Sequence, residues 1–372
     1  MSAKVNELIG RLEESPIYAM SLGNHELFHS NFWAWLFKNT SQGSEYVKVF
    51  FDTFDSNSEF TVEREQENRD LTIWQNRRAF VIENKLKSIP SVEQLQKYTS
   101  KLKDKCEEAV FTGMVNPFSE NNKGPCFSSE ESNKYWGFKG YLDIGKEIKR
   151  IAQNETCYKT RQLISDYAQM ICDANDLLNE IITSIGKDNL IIRPAETNGE
   201  KTRLEKIKLQ DIVLKMNAAL LLSNEIPING LSRELSFNHK KATMTFRLKN
   251  KDASHSAGIQ IEGNQYRRFL ECEKKDQCDD IYILTKSAQW FDEKFDDKNR
   301  EVFGKKTSMS PDNGKYNVYE KPHSFVYQYW DLNKTYTHTV NTGEFFTTVD
   351  FSEVQKQILE DLKLAEKLDW LK

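Results

Sequence analysis

The chain has 372 residues, of which 38% are hydrophobic and 12% aromatic, so it can bury real cores and is not a disordered protein. Its 52 basic and 56 acidic residues give a net charge of −4, so the overall charge does not indicate a nucleic-acid binder, and any attraction to phosphate must come from a local basic patch. The absence of a run of about 18 apolar residues predicts no membrane span, and six scattered cysteines without a CxxC pair predict a reduced, cytoplasmic protein.

The first half of the chain mixes helical and strand-like segments. Apolar residues at helical spacing predict helices at residues 2–14, about 24–38 and 45–54. Short β-rich runs predict strands at 59–65, 68–74 and 79–85, with a hairpin turn in the polar stretch 75–78 between the last two. The pattern then predicts, in order, a helix opened by the capping box at 91–94 and reaching about residue 105, a strand at 109–115, a polar loop at about 116–133, and helices near 143–153 and 158–184.

The polar stretch 193–200 is the best candidate for a domain boundary. It separates a first domain, 1–190, from an accessory domain, 200–372, in which no motif indicates a role. The second part is predicted to contain a helix at 203–222, strands at 241–249, 256–263, 280–285 and 324–330, and a closing amphipathic helix at 351–370. The expected fold class is therefore α/β, followed by a C-terminal α+β region.

Two acidic residues and one basic residue are predicted to meet at an edge of the sheet. Alternation in the strand at 79–85 places Glu83 and Lys85 on the same face. A hairpin that turns near Asn76 brings Asp70 level with the end of that strand.

This arrangement favours a divalent cation. Two neighbouring carboxylates repel each other unless a cation lies between them, and ligation by oxygen alone suits Mg²⁺ or Mn²⁺. Such an ion can polarise a phosphodiester oxygen and lower the pKa of an attacking water. Lys85 could orient that water or stabilise the developing negative charge.

Asp70 followed by Glu83-Asn84-Lys85 resembles the D…ExK signature of the PD-(D/E)xK nuclease superfamily. The helix after this strand carries Gln94 and Tyr98 four residues apart on one face, which is similar to the QxxxY element of that superfamily. One departure is that Arg69 stands where the signature has proline, a position at which proline is often absent.

The resemblance extends beyond this signature. The segment Glu26 through Phe37 resembles the N-terminal helix whose Glu often joins the metal site in exonuclease-like members. The resemblance covers about residues 20–185 and looks closest to a bacterial subgroup, some members of which have suspected roles in defence against foreign DNA.

The resemblance implies a restriction-endonuclease-like fold, in which helices flank a mixed central sheet, and an enzyme that cleaves DNA. It implies that the cation is bound by side chains and one backbone carbonyl, those of Asp70, Glu83, Glu26 and, through its carbonyl, Asn84. In the same way it implies that Lys85 assists the water and that Gln94 and Tyr98 complete or orient the site.

Basic residues near the signature are candidates for phosphate contacts. We expect Arg77, Arg78, Lys87 and Lys97 to bind nucleic acid, although a solvated helix face explains such residues equally well. The sequence carries no signal for a partner protein or an oligomeric state.

Three alternatives remain open at this point. The fold could bind DNA without cutting it, or the second half could recruit partners while the first half is a scaffold. His25-Glu26-Leu27-Phe28-His29 is also a literal HExxH, the signature of zinc proteases, although no third zinc ligand is evident in the sequence.

Overall fold

The chain divides into two structural units. The first comprises Met1–Thr183 and Lys201–Met216, and the second comprises Ser184–Glu200 and Asn217–Lys372. The computed structural model describes residues 2–21, 25–86, 92–114, 136–195, 201–222, 224, 226–238, 241–251, 255–272, 290, 306–308, 317–318, 324–332, 345–368 and 371.

The helices largely follow the apolar spacing of the sequence. In chain order they are α1 (Ala3–Glu14), α2 (Pro16–Ser21), α3 (His25–Asn39), α4 (Gly43–Lys48), α5 (Val92–Ser100), α6 (Tyr141–Ala152), α7 (Tyr158–Ile185), α8 (Arg203–Lys206), α9 (Gln210–Leu222) and α10 (Phe351–Ala365), with a 3-10 turn at Lys103–Lys105. Capping side chains fix where some of them begin, since the hydroxyl of Ser2 accepts from the N–H of Val5 and the carboxylate of Asp350 accepts from the N–H of Ser352. Within the described part of the chain, none of the helices combines the length and the apolar character that a membrane crossing requires.

A five-stranded mixed sheet forms the centre of the first unit. Its strands are β1 (Phe60–Gln66), β2 (Arg69–Gln75), β3 (Arg78–Asn84), β4 (Cys106–Gly113) and β5 (Trp136–Gly140), in the order β1-β2-β3-β4-β5. The first three strands pair antiparallel, whereas β3, β4 and β5 pair parallel. Helices flank this sheet, so the expected mixed α/β architecture of the restriction-endonuclease type is confirmed.

Two tight turns set the register of the antiparallel strands. Glu67 and Asn68 join β1 to β2, and Asn76 and Arg77 join β2 to β3. All four residues have positive φ values, between 50° and 66°. A two-residue turn of this kind matches the twist of the flanking strands, so it fixes which residues lie opposite one another.

The two faces of the central sheet bury different side chains. One face, with α5 packed on it, forms an apolar cluster of Ala79, Val81, Leu95, Leu102, Cys106, Ala109, Phe111 and Trp136. Toward α3 and α4, ring contacts join Phe80 to Phe51 and Phe54, and Trp33 to Phe50 and Tyr141. The strand β3 is therefore buried on both sides along almost its whole length.

Residues 45–54 do not form one helix as predicted, because α4 ends at Lys48. The N–H groups of Asp52 and Thr53 instead donate to the carboxylate of Glu108, each at 3.4 Å. This external acceptor on β4 satisfies the backbone without a helical turn, which local spacing alone does not indicate.

Residues 203–222 also differ from the prediction, since they form two helices. Lys208 lies between α8 and α9 with a φ of 62°, which ends the first helix. The strand predicted at 280–285 lies outside the described residues.

In the part of the second unit that the structure describes, there are two antiparallel sheets and helix α10. The larger sheet has the order β11-β13-β10-β9-β8-β7, and β12 pairs with β13. The smaller pairs β6 with β14. The strands are β6 (Asn189–Pro194), β7 (Ser232–Asn238), β8 (Lys241–Lys249), β9 (His255–Glu262), β10 (Gln265–Cys272), β11 (Lys306–Ser308), β12 (Asn317–Val318), β13 (Ser324–Asp331) and β14 (Phe346–Asp350).

An ion pair lies inside the core of the second unit. Arg268 on β10 donates twice to the carboxylate of Asp361 on α10, at 2.6 and 3.0 Å, and both side chains are almost completely buried. Tyr266 and Gln357 donate to the same carboxylate at 2.8 and 2.9 Å. Since every partner is hydrogen-bonded, the charge of Asp361 is accommodated as part of the core.

Candidate active site

The β2–β3 hairpin brings Asp70 and Glu83 to the same end of the sheet. Leu71 pairs with Ile82, so the next positions outward are Asp70 and Glu83. The Oδ2 atom of Asp70 accepts a hydrogen bond from the backbone N–H of Asn84 at 2.7 Å. The predicted meeting of the two acidic residues is therefore present.

Lys85 completes this group. Its Nζ lies 2.7 Å from Oε1 of Glu83, and the two side chains are only 10% and 3% exposed. The backbone N–H of Lys85 donates to the carbonyl of Thr112 at 2.8 Å, so the parallel pairing with β4 extends to this residue and holds it in line.

Burial makes negative charge costly at this site. Burial and, to a smaller extent, the charge of Asp70 raise the pKa of Glu83, Lys85 opposes both effects, and the net result is a pKa of about 7. Burial also raises the pKa of Asp70, against the lowering effects of the Asn84 N–H and the charge of Lys85. For Lys85 burial lowers the pKa, but the charges of the surrounding acids outweigh it and raise the pKa. A bound cation would relieve the repulsion between the carboxylates.

One carboxylate oxygen of this group has no hydrogen-bond partner among the described residues. Oε2 of Glu83 is buried and accepts no hydrogen bond from the described residues. A buried oxygen in that state is costly unless a ligand satisfies it. No group of three or more His, Cys, Asp or Glu side chains forms a metal site among the residues that the structure describes. Two carboxylates supplemented by water and a backbone oxygen nevertheless fit Mg²⁺, which keeps several waters in protein sites.

Helix α3 places Glu26 at the same end of the sheet. The amide Nδ2 of Asn84 donates to the backbone carbonyl of Glu26 at 2.7 Å. The charge of Glu26 raises the pKa values of both Asp70 and Lys85, as expected for a neighbouring carboxylate. The structure thus brings Glu26 together with the residues of the D…ExK signature.

Gln94 and Tyr98 lie on α5, as the QxxxY pattern predicts. The side-chain Nε2 of Gln94 donates to the hydroxyl of Tyr98 at 2.6 Å. The ring of Tyr98 packs against the apolar cluster that contains Val81. Val81 shares its strand face with Glu83, so α5 covers the face from which that carboxylate projects.

The structure does not bring the predicted phosphate-binding arginines to the carboxylates. Arg77 and Arg78 lie at the turn of the β2–β3 hairpin, and Arg78 pairs with Glu107 at 2.9 Å. Glu83 lies five positions further along the strand than Arg78, a distance of about 17 Å at 3.3–3.4 Å per residue. Lys97 is exposed on α5, and Lys87 lies outside the described residues.

The second histidine of the HExxH pattern is a core residue. His29 is 3% exposed, its Nδ1 lies 2.8 Å from the hydroxyl of Tyr167, and its ring contacts Tyr141 edge-on at 5.1 Å. The side chain of His25 lies outside the described residues. Nothing in the described part of the chain therefore favours a zinc site on this helix.

Sequence reasoning missed the polar side chains behind the signature. Asn84 accepts hydrogen bonds from Thr112 and Tyr141 and donates one toward Ser30, besides its bond to Glu26. The one signal in the sequence is that Asn84 follows Phe80 and Ile82 on the strand face opposite Glu83. A polar residue at the end of such an apolar face indicates buried hydrogen-bonding partners.

Comparison with known proteins agrees with this geometry. The family model described as the PD-(D/E)XK nuclease superfamily matches residues 17–169. The matched part of the chain, which holds Glu26, Asp70, Glu83 and Lys85, is therefore similar to that superfamily, whose members generally use divalent metal ions. Searches of the curated proteins and of the solved structures give no match.

Proposed function

We propose that the first unit hydrolyses phosphodiester bonds of DNA and that the reaction depends on a divalent cation, Mg²⁺ or Mn²⁺. The observation that carries the proposal is the buried group of Asp70, Glu83 and Lys85, in which one oxygen of Glu83 has no described hydrogen-bond partner. The superfamily match supports nuclease chemistry, and the choice of DNA rests on the resemblance.

The acidic residues have the role of binding the cation. Asp70 and Glu83 offer carboxylate oxygens from adjacent strands, with the backbone carbonyl of Asn84 beside them and Glu26 completing the acidic group. When bound, the cation would polarise a phosphodiester oxygen and lower the pKa of the attacking water.

Lys85 has a separate role. Its ammonium group is held by Glu83 at 2.7 Å and has little freedom to move, because it is 10% exposed. A fixed positive charge at this place orients the attacking water and stabilises negative charge that develops on the phosphate. On α5, the hydrogen-bonded pair of Gln94 and Tyr98 covers the same sheet face and orients the site from that side.

The basic residues Arg77, Arg78, Lys87 and Lys97 are proposed to contact the DNA backbone away from the cleaved bond. Such contacts would position the nucleic acid without taking part in the chemistry. A protein in which only these contacts operate would bind DNA and leave it intact, which is the second candidate function.

Residues 200–372 are proposed to be an accessory domain beside a nuclease domain of residues 1–190, and a role in defence against foreign DNA or in DNA processing follows from the resemblance alone. Because Lys201–Met216 groups with the first unit, removing everything after residue 200 would also remove part of that unit. The full chain is therefore the right material for activity measurements.

The test is cleavage by the full chain of linear and circular DNA, and of RNA of matching sequence, with Mg²⁺, with Mn²⁺ and with a chelator. Glu83→Gln and Lys85→Met remove the proposed groups, and Glu147→Gln is the control, because it removes a carboxylate from an exposed ion pair with Arg150 on α6. We expect the native chain and the control to cut DNA only with a divalent ion, and both site variants to cut it more slowly by about 100-fold or more.

Several results would contradict the proposal. Cleavage in the presence of the chelator would show that the reaction does not need a cation. Activity of Glu83→Gln equal to that of the native chain would show that this site does not catalyse the reaction. Binding of DNA without turnover under all conditions would favour the second candidate function, and cleavage of RNA alone would overturn the choice of substrate.

A further inference from the structure

The side chain of Asn84 lies in an unusual place for an amide. It is 1% exposed and stands on the strand face opposite Glu83 and Lys85, in line with the apolar side chains of Phe80 and Ile82. A buried amide requires partners for both of its ends, so the partners of Asn84 indicate what it does.

The nitrogen end of the amide points to helix α3. Nδ2 donates to the backbone carbonyl of Glu26 at 2.7 Å and lies 3.5 Å from the hydroxyl of Ser30, one helical turn further on. A carbonyl can only accept, so this contact requires the NH₂ group of the amide to face Glu26. Asn84 therefore ties the first turn of α3 to the end of β3.

The oxygen end of the amide is fixed by two buried hydroxyl groups. Thr112 on β4 donates at 3.2 Å and Tyr141 at the start of α6 donates at 2.5 Å, and both residues are fully buried. The amide cannot turn over without losing its hydrogen bond to the Glu26 carbonyl, which can only accept. In this orientation both hydroxyls donate to Oδ1 and hold the oxygen end in place from β4 and α6.

The backbone of the same residue holds the second acidic group. The N–H of Asn84 donates to Oδ2 of Asp70 at 2.7 Å, which orients that carboxylate. One residue thus contacts both Asp70 and the turn that carries Glu26, while Glu83 and Lys85 stand on either side of it in the chain.

We propose that the Asn84 side chain is a positioning group that docks Glu26 at the cation site, with Thr112 and Tyr141 fixing its orientation. The proposal rests on the proposed function, because it assigns Asn84 an effect on cation binding. Partners behind metal ligands typically change metal affinity by about 10–100-fold when they are removed.

The test is the affinity of the full chain for Mn²⁺ alone, measured by calorimetry. Asn84→Leu keeps the size of the side chain and removes the amide. Gln75→Leu is the matched control, because Gln75 is also a buried amide, 5% exposed, and lies at the far end of β2. Its oxygen accepts from the N–H of Asp55 and its nitrogen donates to the carbonyl of Asp55. We expect Asn84→Leu to weaken Mn²⁺ binding by about 10–100-fold and Gln75→Leu to leave it unchanged, although both lower the melting temperature.

A double-mutant cycle shows whether Asn84 acts through Glu26. In the native background Glu26→Gln should weaken Mn²⁺ binding, and in the Asn84→Leu background it should add little, because Glu26 is no longer held in place. Tyr141→Phe provides a milder version that removes one hydroxyl, and it should weaken Mn²⁺ binding by about threefold.

The possible results distinguish a failure of the inference about Asn84 from a failure of the proposed function. If Asn84→Leu binds Mn²⁺ as tightly as the native chain, or if its effect and that of Glu26→Gln add fully, Asn84 has a structural role only and the inference is wrong. If Asn84→Leu does not fold, unchanged Mn²⁺ affinity of Tyr141→Phe overturns it instead. If the native chain itself binds no Mn²⁺, the proposed function fails, and the inference fails with it.

Discussion

Replacing Glu83 by Gln should change how the stability of the metal-free protein depends on pH. Burial, with the charge of Asp70 nearby, raises the pKa of Glu83 from 4.5 to about 7. The folded state therefore binds a proton more tightly than the unfolded state does. Glu83 contributes stability that is fully present below about pH 4.5 and is lost as the pH rises through about 7.

The size of this effect follows from the pKa difference. The step from 4.5 to about 7, at about 1.4 kcal/mol for each unit of pKa, corresponds to about 3 kcal/mol of unfolding free energy. Gln keeps the shape of the side chain and an acceptor for Lys85 but does not titrate. The substitution also weakens the contact with Lys85, which stays charged over this pH range. That loss of stability is the same at both pH values, so it cancels when the two measurements are subtracted.

The assay is unfolding of the full chain in urea, without divalent ions, at about pH 5 and about pH 8. The unfolding free energy is obtained from hydrogen exchange of the peptides that contain β2 and β3. This readout follows the first unit separately from the second. The stability of Glu83→Gln relative to the native chain should rise by about 2–3 kcal/mol between the two pH values, since part of the full difference is already lost at about pH 5, and that of Glu107→Gln should stay constant. If the difference in unfolding free energy between Glu83→Gln and the native chain is the same at both pH values, the pKa of Glu83 is not raised in the folded state and the prediction is wrong.

Further predictions concern the site and the packing around it. Mn²⁺ affinity should fall as the pH drops below about 7, because a proton then competes for Glu83, and an affinity that is flat from about pH 5 to 8 in calorimetry would contradict this. Lys85→Met should reduce single-turnover cleavage by about 100-fold while Mn²⁺ binding stays as tight or tightens, since a positive charge is removed; weaker Mn²⁺ binding would assign Lys85 to cation binding instead. Arg77→Gly should stabilise the hairpin by up to about 1 kcal/mol, because the φ of 65° suits glycine, and should leave the cleavage rate of bound DNA unchanged. Gly145→Val should destabilise the first unit by about 1–3 kcal/mol in urea unfolding, because a Cβ there meets the side chains of α7 at 2.8–2.9 Å.

The hairpin that carries the acidic residues could be predicted because its signals are local. Alternation over seven residues places Glu83 and Lys85 on one face, and a two-residue turn at Asn76 and Arg77 sets Asp70 opposite the end of β3. Both signals lie within a span of about 16 residues, so pattern and spacing alone specify the geometry.

The supporting side chains could not be predicted in the same way. The partners of the Asn84 amide on α3 and α6 lie 58 and 57 residues away in the sequence. No periodicity connects positions so far apart, and the contact exists only because the helices pack on the sheet. An isolated Asn at the end of an apolar strand marks that such partners exist but does not identify them.

The strands of the second unit were partly missed for a related reason. β10, Gln265–Cys272, carries two adjacent arginines, which argue against a buried strand when its sequence is read alone. In the structure Arg267 pairs with Glu262 of the neighbouring strand at 2.6 Å, and Arg268 pairs with Asp361 on α10 at 2.6 Å. Tertiary partners neutralise both charges, so the strand forms despite its composition.

The end of the β2–β3 hairpin that holds Asp70 and Glu83 is proposed to be a divalent-cation site. The most direct measurement is anomalous diffraction at the manganese edge from crystals of the full chain soaked in Mn²⁺. We predict a manganese ion bound by the carboxylates of Asp70 and Glu83 and by the backbone carbonyl of Asn84, and no manganese peak there in Glu83→Gln crystals. Crystals of the native chain that show no manganese between these two carboxylates, at concentrations that support DNA cleavage, would contradict it.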